Sequence, residues 1–398
     1  MTYKTRFFAL FAIMSMFNLA ASFAHPVTPT VIQELHLHDY MFGVALGVMM
    51  ITNFLLSPFW GKINQYIPAR VELIICCTGY SIAQLGFAFA TTELGIIGAR
   101  MFAGLFTGGV FVAVLAYVVN MSKPEDQAKY LTITATIQTV GSAFGYMVGG
   151  FLGEISVRTA FFAQSATLML AGILFYLLLE PDNKHDLSEI SRQQLIRESN
   201  PFQAFLDCGK FMTLTFVMLF AINILINFGN TSFDQAFNYY LKDQLSLTSK
   251  YNGIIKACVG LISFVANMTL CVWIINKTNV RRSMVALTLV STAAAVGNII
   301  SPNIMIFIVF AVLVYACYSV SVPVIQHMIA AESDPEQKGL VMGFYNATKS
   351  LGSMFASLSV GFIYSVNVRL PFVVTAAVYG LAILAAFTAL RMSGKKAA

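Results

Sequence analysis

The chain has 398 residues, of which 58% are hydrophobic and 11% are charged, and its net charge is +6 at pH 7. Soluble domains carry about 25% charged residues, because water must solvate their surfaces. So little charge excludes a soluble domain, and the composition predicts a protein that crosses the bilayer many times.

Twelve apolar segments reach the length of about 20 residues that a helix needs to cross the hydrocarbon core. They are residues 7–30, 41–61, 71–91, 95–120, 128–152, 159–179, 211–240, 252–275, 283–300, 303–329, 340–364 and 371–391. The first follows Lys4 and Arg6, as in a cleavable signal peptide, but it continues to Pro29 and eleven further segments follow. We therefore expect it to be the first membrane-spanning helix.

The lysines and arginines indicate the orientation of these helices. If the N-terminus is cytoplasmic, 17 of the 24 lie in cytoplasmic segments and four, Arg158, Lys242, Lys250 and Arg369, lie outside. We expect a multi-pass protein of the cell (plasma) membrane with both termini in the cytoplasm. Topology then explains the basic charge, and no nucleic-acid partner is needed.

Six segments precede a polar stretch of mixed charge and six follow it. This predicts a six-helix bundle over residues 1–180, a cytoplasmic linker with a short amphipathic helix over 181–210, and a second six-helix bundle over 211–398.

One stretch occurs twice without gaps, over residues 122–151 and 333–362, at a spacing of 211 residues. Identical pairs at this spacing are Ser122 and Ser333, Pro124 and Pro335, Glu125 and Glu336, Gly141 and Gly352, Ser142 and Ser353, Phe144 and Phe355, Gly150 and Gly361, and Phe151 and Phe362. The same spacing pairs Arg70 with Arg281 and Gln65 with Asn276. Internal repeats in an apolar chain are typical of transporters.

Twelve spans in two sets of six, with a repeat near half the length, resemble the major facilitator superfamily. The loop GKINQYIPAR, from Gly61 to Arg70, is similar to the family's cytoplasmic G-x-x-x-D-R-x-G-R-R gating loop, with Gln65 in place of the aspartate. Asn276 and Arg281 hold the corresponding places in the second half.

Two glycine motifs extend the resemblance. Arg100, Gly104 and Gly108 match the family's R-x-x-x-G-x-x-x-G helix. The fifth span resembles the G-x-x-x-G-P-x-x-G-G motif of its antiporters, with Tyr146 in place of the proline. The matching glycines are Gly141, Gly145, Gly149 and Gly150. Glycines at this spacing let helices approach closely, and packing alone would also explain them.

The resemblance implies an all-α membrane protein with twelve transmembrane helices in two pseudo-symmetric six-helix bundles. It also implies alternating access to a central cavity, and a role for Arg100 in proton coupling; the alternative for Arg100 is a structural anchor.

Charged residues within a span cost about 2.5–3.5 kcal/mol at the helix centre, so each indicates a function. Besides Arg100, the candidates are Asp234, Lys256 and Lys349. Asp234 suits reversible protonation, or it is a water-exposed acid near a helix end. Lys256 either pairs with Asp234 or extends to the interface. Lys349 corresponds to Gln138 in the repeat, which predicts a polar position that contacts substrate in both halves.

Further substrate-binding candidates flank Asp234 or lie on the tenth span, which lines the cavity in the family: Asn227, Asn230, Phe233, Tyr315 and Tyr318. His25 and His327 are weaker candidates that could titrate near neutral pH.

We therefore expect a monomeric secondary transporter that exports small amphipathic compounds in exchange for protons. The alternative is an organic-anion or metabolite transporter, since Arg100, Lys256 and Lys349 outnumber Asp234. The chain contains no GxxxxGK[ST], HExxH or GxSxG motif, so we expect no enzyme activity, no cofactor and no metal.

Overall fold

A computed structural model describes residues 3–182, 193, 195, 198–334 and 337–396, and all regular structure in these ranges is helical. The helices are α1 (Tyr3–Ala21), α2 (Thr28–Glu34), α3 (Met41–Ile63), α4 (Ala69–Phe89), α5 (Glu93–Met121), α6 (Pro124–Ile155), α7 (Val157–Leu178), α8 (Gln203–Leu206), α9 (Leu214–Asp243), α10 (Ser249–Ala266), α11 (Val272–Lys277), α12 (Val280–Ile299), α13 (Ile304–Glu332), α14 (Lys338–Val366) and α15 (Leu370–Lys396). Residues 183–192, 194, 196 and 197 of the predicted linker, with its amphipathic helix, lie outside the described residues.

Nine stretches within the described ranges are long and apolar enough to cross a membrane. The three other long helices, α1, α6 and α14, coincide with predicted spans but are absent from that set. The helices α6 and α14 carry many Gly, Ser and Thr residues, which lower the mean hydropathy without preventing burial in a bundle. The predicted class, an all-helical membrane protein, is confirmed.

Two predicted spans are not continuous α-helices. The first, 7–30, ends as α1 at Ala21, and the chain turns before α2 because Pro26 cannot continue a helical hydrogen-bond ladder. Pro29 lies in the first turn of α2, where the missing N–H needs no partner. Between α10 and α11 the segment Asn267–Cys271 is π-helical, which interrupts the eighth predicted span.

The chain forms two compact units. Unit one comprises Met1–Pro201 and Leu241–Gly260, and unit two comprises Phe202–Tyr240 and Leu261–Ala398. In unit one α4 packs on α5 and α7, and in unit two α12 packs on α13 and α15. The predicted domain boundaries at residues 180 and 210 stay a prediction.

The sequence repeat recurs in the helices. The two ends of α5, Glu93 and Met121, lie 211 residues before the two ends of α13, Ile304 and Glu332. Helices α4 and α12 begin at the same spacing. The helices that precede the two copies of the repeat therefore correspond at the same spacing.

Large apolar side chains remain on the outer surfaces of the helices. Leu94 is 80% exposed, Ile155 74% and Val366 79%. A water-soluble protein would bury such a number of apolar side chains, whereas acyl chains solvate them.

Candidate functional site

Arg100 lies inside unit one, seven residues from the start of α5 and only 4% exposed. Its Nη2 donates to Thr28 Oγ1 at 3.4 Å, its Nη1 lies 3.8 Å from Met49 Sδ, and its guanidinium lies 4.4 Å from the centre of the Phe87 ring. The Nε has no partner, and no carboxylate pairs with the guanidinium within the described ranges. A buried cation is thus held by neutral groups only.

The close approach of α3 and α5 places Met49 beside Arg100. At Gly104 a Cβ would overlap both Thr52 Oγ1 and the Met49 carbonyl oxygen, and Thr52 Oγ1 also donates to Met101 O at 2.9 Å. Only glycine permits this separation of the two helices, so the sequence motif and the position of the arginine are linked.

Lys256 also belongs to unit one and is 6% exposed. Its Nζ lies 5.7 Å from the centre of the Tyr146 ring. The predicted partner Asp234 belongs to unit two, and the pairing of these two residues stays a prediction.

Three glycines of α6 face α1 and the turn that follows it, and we call this contact the glycine seam: Gly141, Gly145 and Gly149. A Cβ on Gly145 would overlap Leu19 O, and one on Gly149 would overlap Phe23 O. The fourth motif glycine, Gly150, meets the start of α10 instead. The helices therefore touch through their backbones, with no space for a side chain.

In unit two, Asn227 and Tyr318, both predicted to bind substrate, are joined. Asn227 is fully buried and donates from Nδ2 to Asn223 O at 2.8 Å. The Tyr318 hydroxyl donates to Asn227 Oδ1 at 2.9 Å. Asn223 in turn donates to Tyr345 O and to Thr348 Oγ1, each at 3.0 Å. A continuous polar network thus connects α9, α13 and α14.

Asp234 is half-buried on α9, and its carboxylate interacts electrostatically with Tyr318. One turn earlier, Asn230 has a buried Oδ1 with no partner in the described part of the chain. The acid predicted to bind a proton therefore borders the polar network of unit two.

Phe233 and Tyr315, two further candidates, lie in an aromatic cluster. Phe233 is completely buried, with its ring 5.5 Å from Tyr315, 5.5 Å from Phe372 and 5.9 Å from Phe237. The contacts with Tyr315 and Phe372 are edge-to-face and the contact with Phe237 is stacked, and aromatic pairs in both arrangements attract each other.

Lys349 and Gln138, which occupy corresponding places in the repeat, are both half-buried. Neither makes a hydrogen bond or ion pair to any residue that the structure describes. Polar side chains at mid-helix in a membrane protein normally have partners, so both are candidates for contact with a transported molecule.

The loop candidates have different environments in the two units. Gln65 is exposed and accepts a hydrogen bond from Lys62 Nζ at 3.0 Å. Arg70 lies 5.4 Å from the centre of the Tyr176 ring, whereas its counterpart Arg281 forms a 2.6 Å ion pair with Glu332. The remaining loop candidates, Gly61 and Asn276, end α3 and α11 respectively, each within the last three residues.

Two acidic residues of unit one escaped sequence analysis because both follow the sixth predicted span. Asp182 is 4% exposed, and its Oδ1 accepts from the backbone N–H of Ala69, the first residue of α4, at 2.8 Å. Glu198 forms an ion pair with Lys62. They supply acidic partners near a loop that lacks the family's aspartate.

Sequence analysis also missed a set of cross-helix hydrogen bonds between α9 and α14, which we call the polar seam. Besides Asn223 with Thr348, Thr231 Oγ1 donates to Ser353 Oγ at 3.0 Å and Gln235 Nε2 donates to Ser357 Oγ. A signal was present, because the polar residues of α9 recur every fourth position, on one helical face.

Comparisons with known proteins extend over nearly the whole chain. A sequence model described as Major Facilitator Superfamily matches residues 7–239 and 219–397. Multidrug resistance protein 2 of Bacillus subtilis is 22% identical over 371 residues, which cover 93% of this chain and 91% of the relative. Quinolone resistance protein NorA of Staphylococcus aureus is 20% identical over 379 residues, which cover 92% of this chain and 91% of the relative.

A crystal structure of a bacterial homologue of the human lysosomal transporter Spinster, inward-facing and occupied, superimposes with a TM-score of 0.80. It is 13% identical and covers 98% of this chain and 97% of that one. Likeness at this identity shows the fold alone.

Proposed function

Because the chain belongs to the Major Facilitator Superfamily, we propose that it exports small amphipathic compounds in exchange for protons. Membership makes the chain a multi-pass membrane transporter of small molecules and not an enzyme, and the predicted fold class is confirmed. Relatives named for multidrug and quinolone resistance, matched over more than nine-tenths of their length, support the export of drug-like compounds.

The observation that carries proton coupling is the position of Asp234. It is a half-buried carboxylate within a membrane-spanning helix, beside the network of Tyr318 and Asn227. A carboxylate in such a place changes its charge when it binds a proton, and that change alters the hydrogen bonds that hold α9 to α13. Arg100 is the second coupling residue in this proposal, because the described residues that hold its charge are all neutral.

The remaining predictions complete the proposal. The substrate-contacting residues are those of both units that combine burial with polar or aromatic side chains: Lys349, Gln138, Lys256, Asn227, Asn230, Phe233, Tyr315 and Tyr318. The loops around Gly61, Gln65, Arg70, Asn276 and Arg281 act in gating on the cytoplasmic side. The protein works as a monomer in the plasma membrane by alternating access, with both termini in the cytoplasm and domains at 1–180 and 211–398.

A second candidate function is transport of organic anions or metabolites. The supporting observation is that neither Arg100 nor Lys349 has a carboxylate partner in the described part of the chain. Two unneutralised cations within spans attract an anionic solute, and they repel a lipophilic cation.

The test is Asp234→Asn in inside-out vesicles that load a fluorescent cationic dye when a pH gradient is imposed. We expect at least a tenfold loss of gradient-driven uptake at normal expression, because the amide cannot bind and release a proton. Asp207→Asn is the control: this acid lies in the cytoplasmic segment before α9 and accepts a hydrogen bond from Lys210 at 2.5 Å. Full gradient dependence in Asp234→Asn would exclude this residue from coupling.

Running the same vesicles with an organic anion separates the two candidate functions. Uptake of the dye with none of the anion supports export of amphipathic compounds. Uptake of the anion alone supports the second candidate.

A further inference from the structure

Tyr146 contacts two basic side chains of unit one and interacts electrostatically with a third. The imidazole of His25 stacks on its ring at 5.2 Å with an interplanar angle of 11°. Lys256 Nζ lies 5.7 Å from the ring centre, and Arg100 interacts electrostatically with the phenol. Four segments of the chain, α5, α6, α10 and the turn before α2, contribute one residue each.

These residues lie at a common depth. Arg100 and Lys256 are each seven residues from the start of their helices, and Tyr146 is nine residues from the end of α6. At about 1.5 Å per residue, Arg100 and Lys256 lie about 10 Å from the starts of their helices, and Tyr146 lies about 14 Å from the end of α6. The three side chains therefore lie at similar depths in unit one.

Glycines hold the cluster together. At Gly253 a Cβ would lie 2.5 Å from Tyr146 O and 3.1 Å from Met147 Cα, so α10 meets α6 backbone to backbone one turn from Lys256. Gly149 makes a similar approach to Phe23, two residues before His25. The basic side chains are thus positioned before any ligand arrives, which reduces the entropy cost of binding.

The charge of the cluster selects its ligand. Within the described part of the chain, the direct partners of Arg100 are Thr28, Met49 and Phe87, and its Nε is buried without one. A second cation, Lys256, is almost as deeply buried and lies over the ring of Tyr146. Cations in a low-dielectric site are stabilised by an anion, and a phenol hydroxyl can donate to the same anion.

We propose that this cluster is a subsite for a carboxylate group of the transported compound, bound by Arg100 and Lys256 with the Tyr146 hydroxyl as a further donor. The inference rests on the proposed export function and specifies its substrates as amphipathic molecules with an aromatic body and a carboxylate. Tyrosine replaces the proline that the antiporter motif has at this position, and proline supplies neither a ring for Lys256 and His25 nor a hydroxyl.

The experiment compares two dyes that differ in one group, rhodamine 110, with a free carboxylate, and its methyl ester, rhodamine 123. Binding of each to purified protein in detergent is measured by fluorescence anisotropy. The wild type should bind the acid at least tenfold more tightly than the ester, and Lys256→Met should reduce that ratio at least fivefold. Lys256→Arg, which keeps the charge, should retain it.

Lys250→Met is the matched control. Lys250 lies on the same helix, and its Nζ lies over another aromatic ring of α6, Phe151, at 5.4 Å. It is six residues nearer the start of α10, outside the cluster. Its loss removes the same charge and should change the ratio of acid to ester affinity by less than twofold.

The outcomes separate the subsite from the transport function. Equal binding of acid and ester by the wild type, or an equal loss of both in Lys256→Met, overturns the subsite while the export function stands. Binding of neither dye contradicts the export of amphipathic aromatic compounds and the subsite with it. A reduced ratio in Lys256→Met that Lys256→Arg restores supports both.

Discussion

The glycine seam of unit one and the polar seam of unit two are built from the two copies of one repeat. In the first copy, Gly145 and Gly149 bring the backbone of α6 against that of α1 and of the turn after it. In the second copy the corresponding residues are Ala356 and Val360, both completely buried. There α14 is joined to α9 by side-chain hydrogen bonds.

The difference shows that one architecture permits two kinds of helix contact. A glycine contact depends on shape and leaves no polar group to rearrange. The polar seam depends on hydrogen bonds that can exchange partners, and Tyr318, which borders Asp234, is connected to it through Asn227. We infer that the polar seam is the more adaptable of the two contacts, as coupling to a proton would require.

The largest loss of stability is expected from Gly145→Ala. This substitution gives the glycine seam the residue that the second copy of the repeat has at Ala356. The new Cβ overlaps Leu19 O and lies 2.8 Å from Ser22 Cβ. Overpacking of this kind costs about 1–3 kcal/mol, and a clash with backbone places it near the upper limit. The midpoint of thermal unfolding in detergent should fall accordingly.

Gly343→Ala on α14 is the control for that variant. No atom of a described residue elsewhere in the chain lies within 4 Å of a Cβ at this position, so the change acts through helix propensity. A gain of up to about 1 kcal/mol is expected. If Gly145→Ala unfolds at the wild-type temperature or above it, the glycine seam is not a tight contact.

A smaller effect is expected from Asn223→Ala in the polar seam. Asn223 is completely buried and donates two hydrogen bonds to α14. Its loss also removes an acceptor from Asn227, and a buried group left unsatisfied costs about 1–3 kcal/mol. We expect about 2 kcal/mol, measured by unfolding in mixed detergent.

Thr139→Ala is the comparison for Asn223→Ala. Thr139 is exposed, and among the described residues its hydroxyl donates to Ala135 O in its own helix. Its effect should stay within about 0.5 kcal/mol. Equal effects of the two substitutions would contradict a stabilising role for the polar seam.

The smallest effect is the coupling between Thr231 and Ser353, which share one hydrogen bond of 3.0 Å. A double-mutant cycle with Thr231→Val and Ser353→Ala isolates that pair. Interhelical hydrogen bonds in membrane proteins average about 0.6 kcal/mol, and we expect a coupling of that size. Strict additivity would show that the bond contributes nothing measurable.

Much of the fold was predictable. Hydropathy is a sum over a local segment, so the membrane class and the approximate position of each long helix follow from composition. The spacing of 211 residues is also visible in the sequence alone, and the ends of α5 and α13 reproduce it. Two predicted spans are interrupted, one by Pro26 and one by the π-helical turn after Ala266. Both features change single backbone hydrogen bonds, which a hydropathy sum does not register.

The sequence predicted which residues belong to the candidate site but not which residues surround them. The sequence by itself determined that Arg100, Asp234, Lys256 and Lys349 are charges within spans, because the cost of such charges depends on the residue and its depth. Only the tertiary structure decided the neighbours: Thr28 beside Arg100, Tyr146 beneath Lys256, and Tyr318 near Asp234. Those contacts depend on how far each helix rotates and how closely it approaches another, and residues distant in the chain set both.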